Sequence, residues 1–541
     1  MKETKILRAA SPEAVGVSPE KLAALMEDIA QAGLEIHSVM VLRHGKVAYE
    51  SFRKPYAPQY PHVMFSVSKS ITSCAVGFAV AEGKLTLEDR VADLVPELRG
   101  DKEDPRLEAL TVRHLLTMTS GKVVNVMIDK ARKTWIKDYA DAKFSYPPGE
   151  GWNYSNESIY ILCVIIRRVC GECVVDYLMP RLFEPLNIPR PFWENDGGGV
   201  EAGGWGLYLT TESLAKIMLC YTQGGKYEGR QVVPADWVAE SGKAQVMQGD
   251  AHPSTYGGSG YGFCFWKNPA GESFRADGVF SQFGLIFPEQ DACVVTTAGQ
   301  MDSNATLEIL FRYFPQAFEE SGDRDQESGD RGQGSGVEIP ALPDYPVLEP
   351  RPRNMALEYE LEDKMITFPA PLHQAPRVVG MPVSMMPMAV FFMSADKAGG
   401  INKIRLRFTA DACKLSWSEG EERNTVLCGM DGRARNCKVT LGGIDFTVAC
   451  SAAWDGQHKL RIWIRVLNSV AERRLTFYFR GRQVTMVPRS SPSLASVAEY
   501  AAPYAASWIP SAVLGSIVAN TMDKLTMMAE PPHIGILREF K

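Results

Sequence analysis

The chain has 541 residues, of which 45% are hydrophobic and 23% charged, and a formal net charge of −6. That length exceeds one ordinary domain, and the composition is that of a globular protein with a real core. The charge is spread along the chain, which predicts no basic face and excludes nucleic acid as a partner at this level.

The N-terminal segment carries Lys2, Lys5 and Arg8 with no apolar run behind them, so no secretory signal is expected. Ser18-Pro19-Glu20 then reads as a helix start, with Leu22, Leu25, Met26 and Ile29 on one face. A hairpin follows, Ser38 to Arg43, a His44-Gly45 turn, and Lys46 to Tyr49. A strongly apolar helix runs from Ser66 to Ala81 and is closed by Gly83. Strand patterns return at 261–266, 283–287 and 292–297, and a helix from Leu307 to Phe318 closes the unit. Strands at both ends with helices between predict an α+β arrangement, an antiparallel sheet with a helical region alongside.

Residues 319–350 read as a flexible linker: 320–336 lack apolar residues, and the continuation to Pro352 is Pro-rich. From 351 to 489 short alternating segments, among them 356–361, 403–408, 414–417, 459–466 and 475–479, predict a smaller all-β domain, a barrel or sandwich. Residues 490–541 read as a helical tail, leaving 1–318 as the first domain. No apolar run of about 18 residues occurs, so no membrane span is expected. The eleven cysteines are irregularly spaced, which suits buried thiols in a reducing cytosol better than a disulfide framework. Cys170 and Cys173 form a lone CxxC that reads as a helix end broken at Gly171. A cytoplasmic protein without metal or other cofactor is expected, and its oligomeric state is left open.

The eight histidines form no cluster at ligand spacing, and GxSxG, HExxH and GxxxxGK are all missing. An S-x-x-K pair is the remaining route to an activated serine. At i and i+3 the two side chains share one helix face, and a desolvated lysine serves as base once its pKa falls. The pattern recurs at Ser18/Lys21, Ser51/Lys54, Ser66/Lys69, Ser213/Lys216 and Ser394/Lys397, so context decides. Only Ser66 opens a helix apolar enough to be buried, where a first-turn lysine is costly unless paired or functional. The structural alternative is a capping serine beside a snorkelling lysine. Tyr154-Ser155-Asn156 lies in a turn-rich loop before Ile159-Tyr160-Ile161-Leu162, and Arg275 to Val279 lies between strand-like stretches. A tyrosine beside an ammonium group loses its proton more easily and then acts as acid or base.

Together, Ser66-Val67-Ser68-Lys69, the segment Leu110 to Gly121, Tyr154-Ser155-Asn156 and Glu184 to Ile188 resemble the serine β-lactamase and penicillin-recognising superfamily. The likeness is greatest to the class C β-lactamase-related esterases and peptidases, and it covers residues 10–318. The resemblance implies a nucleophile at Ser66, acid–base duty at Lys69 and Tyr154, and contact of Asn156 with substrate or Lys69. It also implies an oxyanion hole from the Ser66 and Val279 amides. The third motif departs from the family: Ala276-Asp277-Gly278 stands where a cation is usual. Arg275 precedes it, on the opposite strand face from Ala276. The loss disfavours β-lactams and favours a small ester or amide as substrate. The alternatives are a D-amino-acid peptidase or amidase, whose free amine Asp277 would pair, and a catalytically weak ligand-binding protein on the same fold.

Overall fold

The computed structural model describes residues 3–99, 104–122, 135–248, 258–318, 336–368, 384–387, 390, 400–493, 496 and 530–540. The chain divides into two compact units, 1–343 and 344–541.

The first unit is built on a six-stranded antiparallel sheet. Its order is Lys46–Phe52, Ile36–Arg43, Ala292–Ala298, Gln282–Phe287, Phe274–Gly278 and Trp266–Lys267, so two strands from the start of the unit lie beside four from its end. Strand alternation sends Val39 and Val41 to one face, where they pack with Leu285, Val294 and two helices, Pro19–Gln31 and Ser303–Tyr313. Ser18 caps the first of these by accepting from the Lys21 amide. The helices Val67–Ala81 and Thr211–Thr222 cover the other face. Every residue of Val67–Ala81 through Ala79 is buried, so its polar members must find partners inside the protein. The α+β expectation for this unit holds.

The second unit places Ile401–Phe408, Ala412–Glu419, Glu422–Gly429, Arg435–Leu441, Ile444–Trp454, Lys459–Val466, Glu472–Arg480 and Gln483–Ser491 in one sheet. Lys364–Thr367 and His533–Glu539 complete it, and the pairing of Gly429 with Ser451 closes it into a barrel. The expected all-β character therefore resolves to a barrel, filled by Trp454, Leu460, Ile462 and Phe477. At one end a buried ion pair between Arg473 and Glu530 is shared with Ser490.

Several expectations change. Residues 356–361 are helical (Met355–Leu361), because Asn354 caps the Leu357 amide and Arg353 pairs with Glu358 at 2.5 Å. The strand His533–Glu539 replaces part of the expected helical tail, whose residues 497–529 lie outside those described. The expected linker is held in its described part. Tyr49 donates to the Pro340 carbonyl at 2.6 Å, the Leu342 amide donates to Ser51 Oγ at 2.8 Å, and Leu348 is buried in the second unit.

Candidate active site

Ser66 occupies the N-cap of the Val67–Ala81 helix, yet its side chain makes no capping hydrogen bond. Its Oγ instead lies 2.9 Å from Lys69 Nζ. That excludes the capping-serine alternative. The serines of three other S-x-x-K pairs bond elsewhere: Ser18 is a cap, Ser51 accepts from Leu342, and Ser213 donates to Glu3 at 2.6 Å while Lys216 reaches the Asn187 carbonyl. Ser394 lies outside the described residues.

Lys69 is 1% exposed. Its Nζ also donates to Asn156 Oδ1 at 2.6 Å and to the Gly204 carbonyl at 2.7 Å. Burial pushes the ammonium down to about 7, and the nearby Cys264, Glu157 and Asp277 oppose that shift. A neutral amine has two N–H groups and one lone pair. In that neutral form, Asn156 Oδ1 and the Gly204 carbonyl would take both N–H groups and leave the lone pair for Ser66 Oγ.

Asn156 reaches Lys69 because Ser155 caps the Asn156–Cys170 helix by accepting from the Ser158 amide, which fixes Asn156 in the first turn. Gly204 is the partner the sequence reading missed. A Cβ there would lie 3.1 Å from the Asn156 backbone, a tight contact that the absence of a side chain avoids as this carbonyl meets the lysine. The run Gly203-Gly204-Trp205-Gly206 was the available signal.

Tyr154 sets its ring 4.6 Å from Lys69 Nζ. The ring belongs to a cluster with Trp152, Tyr261 and Trp266, in which every pair of centroids lies between 4.9 and 6.4 Å. Tyr261 and Trp266 are buried, so the cluster fixes the tyrosine and keeps water from one side of the amine.

The third-motif strand, Phe274–Gly278, borders Ser66. A Cβ on Gly278 would lie 2.5 Å from the Met64 carbonyl and 3.3 Å from the Ser66 amide, so glycine permits this approach. Val279 opens the turn that follows, where Phe280 and Ser281 hold positive φ of 64° and 66°. Buried Gln282 pins that turn, its Nε2 donating to the Phe280 carbonyl at 3.0 Å and to the Ala298 carbonyl at 2.7 Å. Across the site, Phe65 has φ 44° and packs on Phe280 at 5.2 Å. Both sides of the Ser66 amide are thus built from backbone that side chains rarely tolerate, held by packing.

Ala276 is fully buried, and Arg275 lies on the opposite face as expected. That face is shared with Asp277, to which Arg275 Nε donates at 2.8 Å. The Asp277 carboxylate is therefore already paired with Arg275. Among the described residues, no group of three or more His, Cys, Asp or Glu side chains is placed to hold a metal ion.

The chain belongs to the β-lactamase family, whose model matches residues 21–313. It is a serine hydrolase of that family. It is 26% identical over 322 residues to the 6-aminohexanoate-dimer hydrolase of Paenarthrobacter ureafaciens, covering 54% of this chain and 80% of that protein. It is 33% identical over 177 residues to a β-lactamase of Pseudomonas fluorescens, covering 31% of this chain and 48% of that one. The match to esterase EstB of Burkholderia gladioli is 26% over 209 residues, 33% of this chain and 53% of the esterase. The chain thus spans about half the length of the latter two relatives. Among solved structures, a penicillin-binding protein homologue from Caulobacter crescentus aligns with TM-score 0.44 and 17% identity, covering 55% of this chain and 99% of that one. The octameric penicillin-binding protein homologue from Pyrococcus abyssi aligns with TM-score 0.43 and 16% identity, covering 86% and 97%. No helix among the described residues is long and apolar enough to cross a membrane.

Proposed function

We propose that the chain hydrolyses a small neutral ester through an acyl-enzyme on Ser66. The observation that carries this reading is the 2.9 Å contact between Ser66 Oγ and a buried Lys69 whose other two acceptors are carbonyl oxygens. Lys69 takes the Ser66 proton as Oγ attacks the acyl carbon. The Ser66 and Val279 amides receive the oxyanion, in the position where the strained turns hold them. Collapse of the tetrahedral intermediate expels the alcohol, and the proton passes from Lys69 by way of Tyr154 to the leaving oxygen. Water then attacks the acyl group with the same residues in reversed roles, releasing the acid and restoring Ser66. Asn156 orients Lys69, and Asp277, Gly278 and Val279 line the substrate side.

A small amide is the second reading, favoured by the match to the 6-aminohexanoate-dimer hydrolase over 80% of that protein. A peptidase that recruits a free amine through Asp277 has less support, because Arg275 already occupies that carboxylate. A ligand-binding protein without turnover does not account for a lysine buried against a serine at a cost in stability. The test is a p-nitrophenyl ester time course beside a p-nitroanilide of the same acyl group. A burst of one nitrophenol per chain, absent in Ser66→Ala, supports the acyl-enzyme. Ester turnover that survives in Ser66→Ala removes it.

A further inference from the structure

In the barrel, three neighbouring strands, Ile401–Phe408, Ala412–Glu419 and Glu422–Gly429, send Ile404, Leu406, Leu415, Trp417 and Val426 inward. Their outward residues fall in three rows by register. Lys403 faces Ser418, which faces Arg423; Arg405 faces Ser416, which faces Thr425; Arg407 faces Lys414, which faces Leu427. Five cations thus share one face of a chain whose net charge is −6. The sequence reading saw only the spread charge; strand register gathers it.

This face is costly in isolation. Arg407 and Lys414 stand directly opposite each other, and like charges in that position are destabilising. Lys403, Lys414 and Arg423 have no acidic partner within ion-pair distance among the described residues, while Arg407 reaches Glu362 at 3.5 Å. The rows line a cavity of about 960 Å³ that also includes Glu421 and Phe540.

A second zone adjoins the first. Thr367 pairs with Lys403 on one side and with Ile536 on the other, so the outward residues of the last strand continue the same surface. There Ile534, Ile536 and Phe540 are 56%, 46% and 47% exposed, and the Arg405 guanidinium lies 3.8 Å from the Phe540 ring centre. Outward positions repeat about every 6.7 Å along a strand, too widely for one small anion to meet five cations. Single-stranded nucleic acid asks for aromatic platforms along its path; of the two rings lining this cavity, Trp417 is buried and Phe540 is already stacked on Arg405. A surface of anionic headgroups above an apolar layer meets both zones at once.

We propose that this outer face of the barrel docks on an anionic lipid surface, with Lys403, Arg405, Arg407, Lys414 and Arg423 on headgroup phosphates and carboxylates, and Ile534, Ile536 and Phe540 at the acyl boundary. The full chain should sediment with phosphatidylcholine vesicles containing phosphatidylserine, not with phosphatidylcholine alone, and rising salt should release it. Lys403→Glu/Lys414→Glu/Arg423→Glu should lower vesicle affinity at least about a hundredfold. Its far-ultraviolet circular dichroism and its ester hydrolysis in solution should be unchanged, which shows that the barrel and the first unit are both folded. Ile534→Ser/Ile536→Ser should weaken binding while keeping its salt dependence. Equal sedimentation with neutral vesicles, no sedimentation with either, or an unaffected triple variant would overturn the proposal. Retention of a single-stranded oligonucleotide without vesicle binding would overturn it in favour of nucleic acid.

Discussion

Arg275 and Asp277 stand two residues apart on one strand and form an ion pair at 2.8 Å, with Arg275 almost wholly buried over the Trp266 ring. The altered third motif is therefore electrically neutral as a unit. Neutral short-chain p-nitrophenyl esters should be turned over with higher kcat/KM than a chromogenic cephalosporin, whose carboxylate finds no free cation at this strand. Efficient cephalosporin hydrolysis by the parent protein would mean that the motif has been misread.

The same pair supports Tyr154 through Trp266. Arg275→Ala leaves Asp277 partly buried without its partner, which should cost about 3 kcal/mol in urea unfolding. It also withdraws the cation packed on Trp266, so kcat for the ester should fall with little change in KM. A double-mutant cycle with Asp277→Ala measures the coupling; a coupling near zero would show that the pair is incidental.

In the proposed mechanism Lys69 sets the pH dependence. Its folded pKa of about 7 lies below the unfolded value of 10.5, so folding releases a proton between those pH values. Stability contributed at this site is lowest below pH 7 and rises with pH towards 10.5. Between pH 7 and pH 9 the parent should gain about 2 to 3 kcal/mol relative to Lys69→Met, read from urea midpoints. The kcat/KM of the parent should rise through an apparent pKa near 7, and Lys69→Met should lose about 10²- to 10⁴-fold. A flat profile across that range would take general-base duty from Lys69.

Much of this site could be read from the chain before folding, because Ser66 and Lys69 are neighbours on one helix. Helix polarity alone separated them from Ser18/Lys21, where the serine serves as cap. What escaped was held by distance or by backbone. The Gly204 carbonyl is 135 residues from Lys69 and has no side chain to announce it. Arg275 was weighed against Ala276, whereas its partner is the residue after that, on its own strand face. In the second unit, the alternation at 356–361 suited a strand, and the local cap at Asn354 overrode it. The short strand His533–Glu539 is stabilised by two distant neighbours, so its own residues gave little sign.

Tyr154 and Gln282 act on opposite sides of the reacting carbonyl in this account. Tyr154→Phe keeps the aromatic cluster and removes only the hydroxyl, so kcat should fall by at least about 10²-fold with KM nearly constant. Gln282→Leu frees the turn after Val279 and should lower kcat while also costing stability, since buried carbonyls lose their donors. A Tyr154→Phe enzyme within about twofold of the parent would remove that residue from proton transfer.

The most direct test of the central claim is fluorophosphonate labelling followed by intact mass and peptide mapping. One adduct per chain is predicted, on the peptide containing Ser66, forming faster as pH rises through 7 and absent in Ser66→Ala. An adduct on Ser18, Ser51 or Ser213, or labelling undiminished in Ser66→Ala, would contradict it.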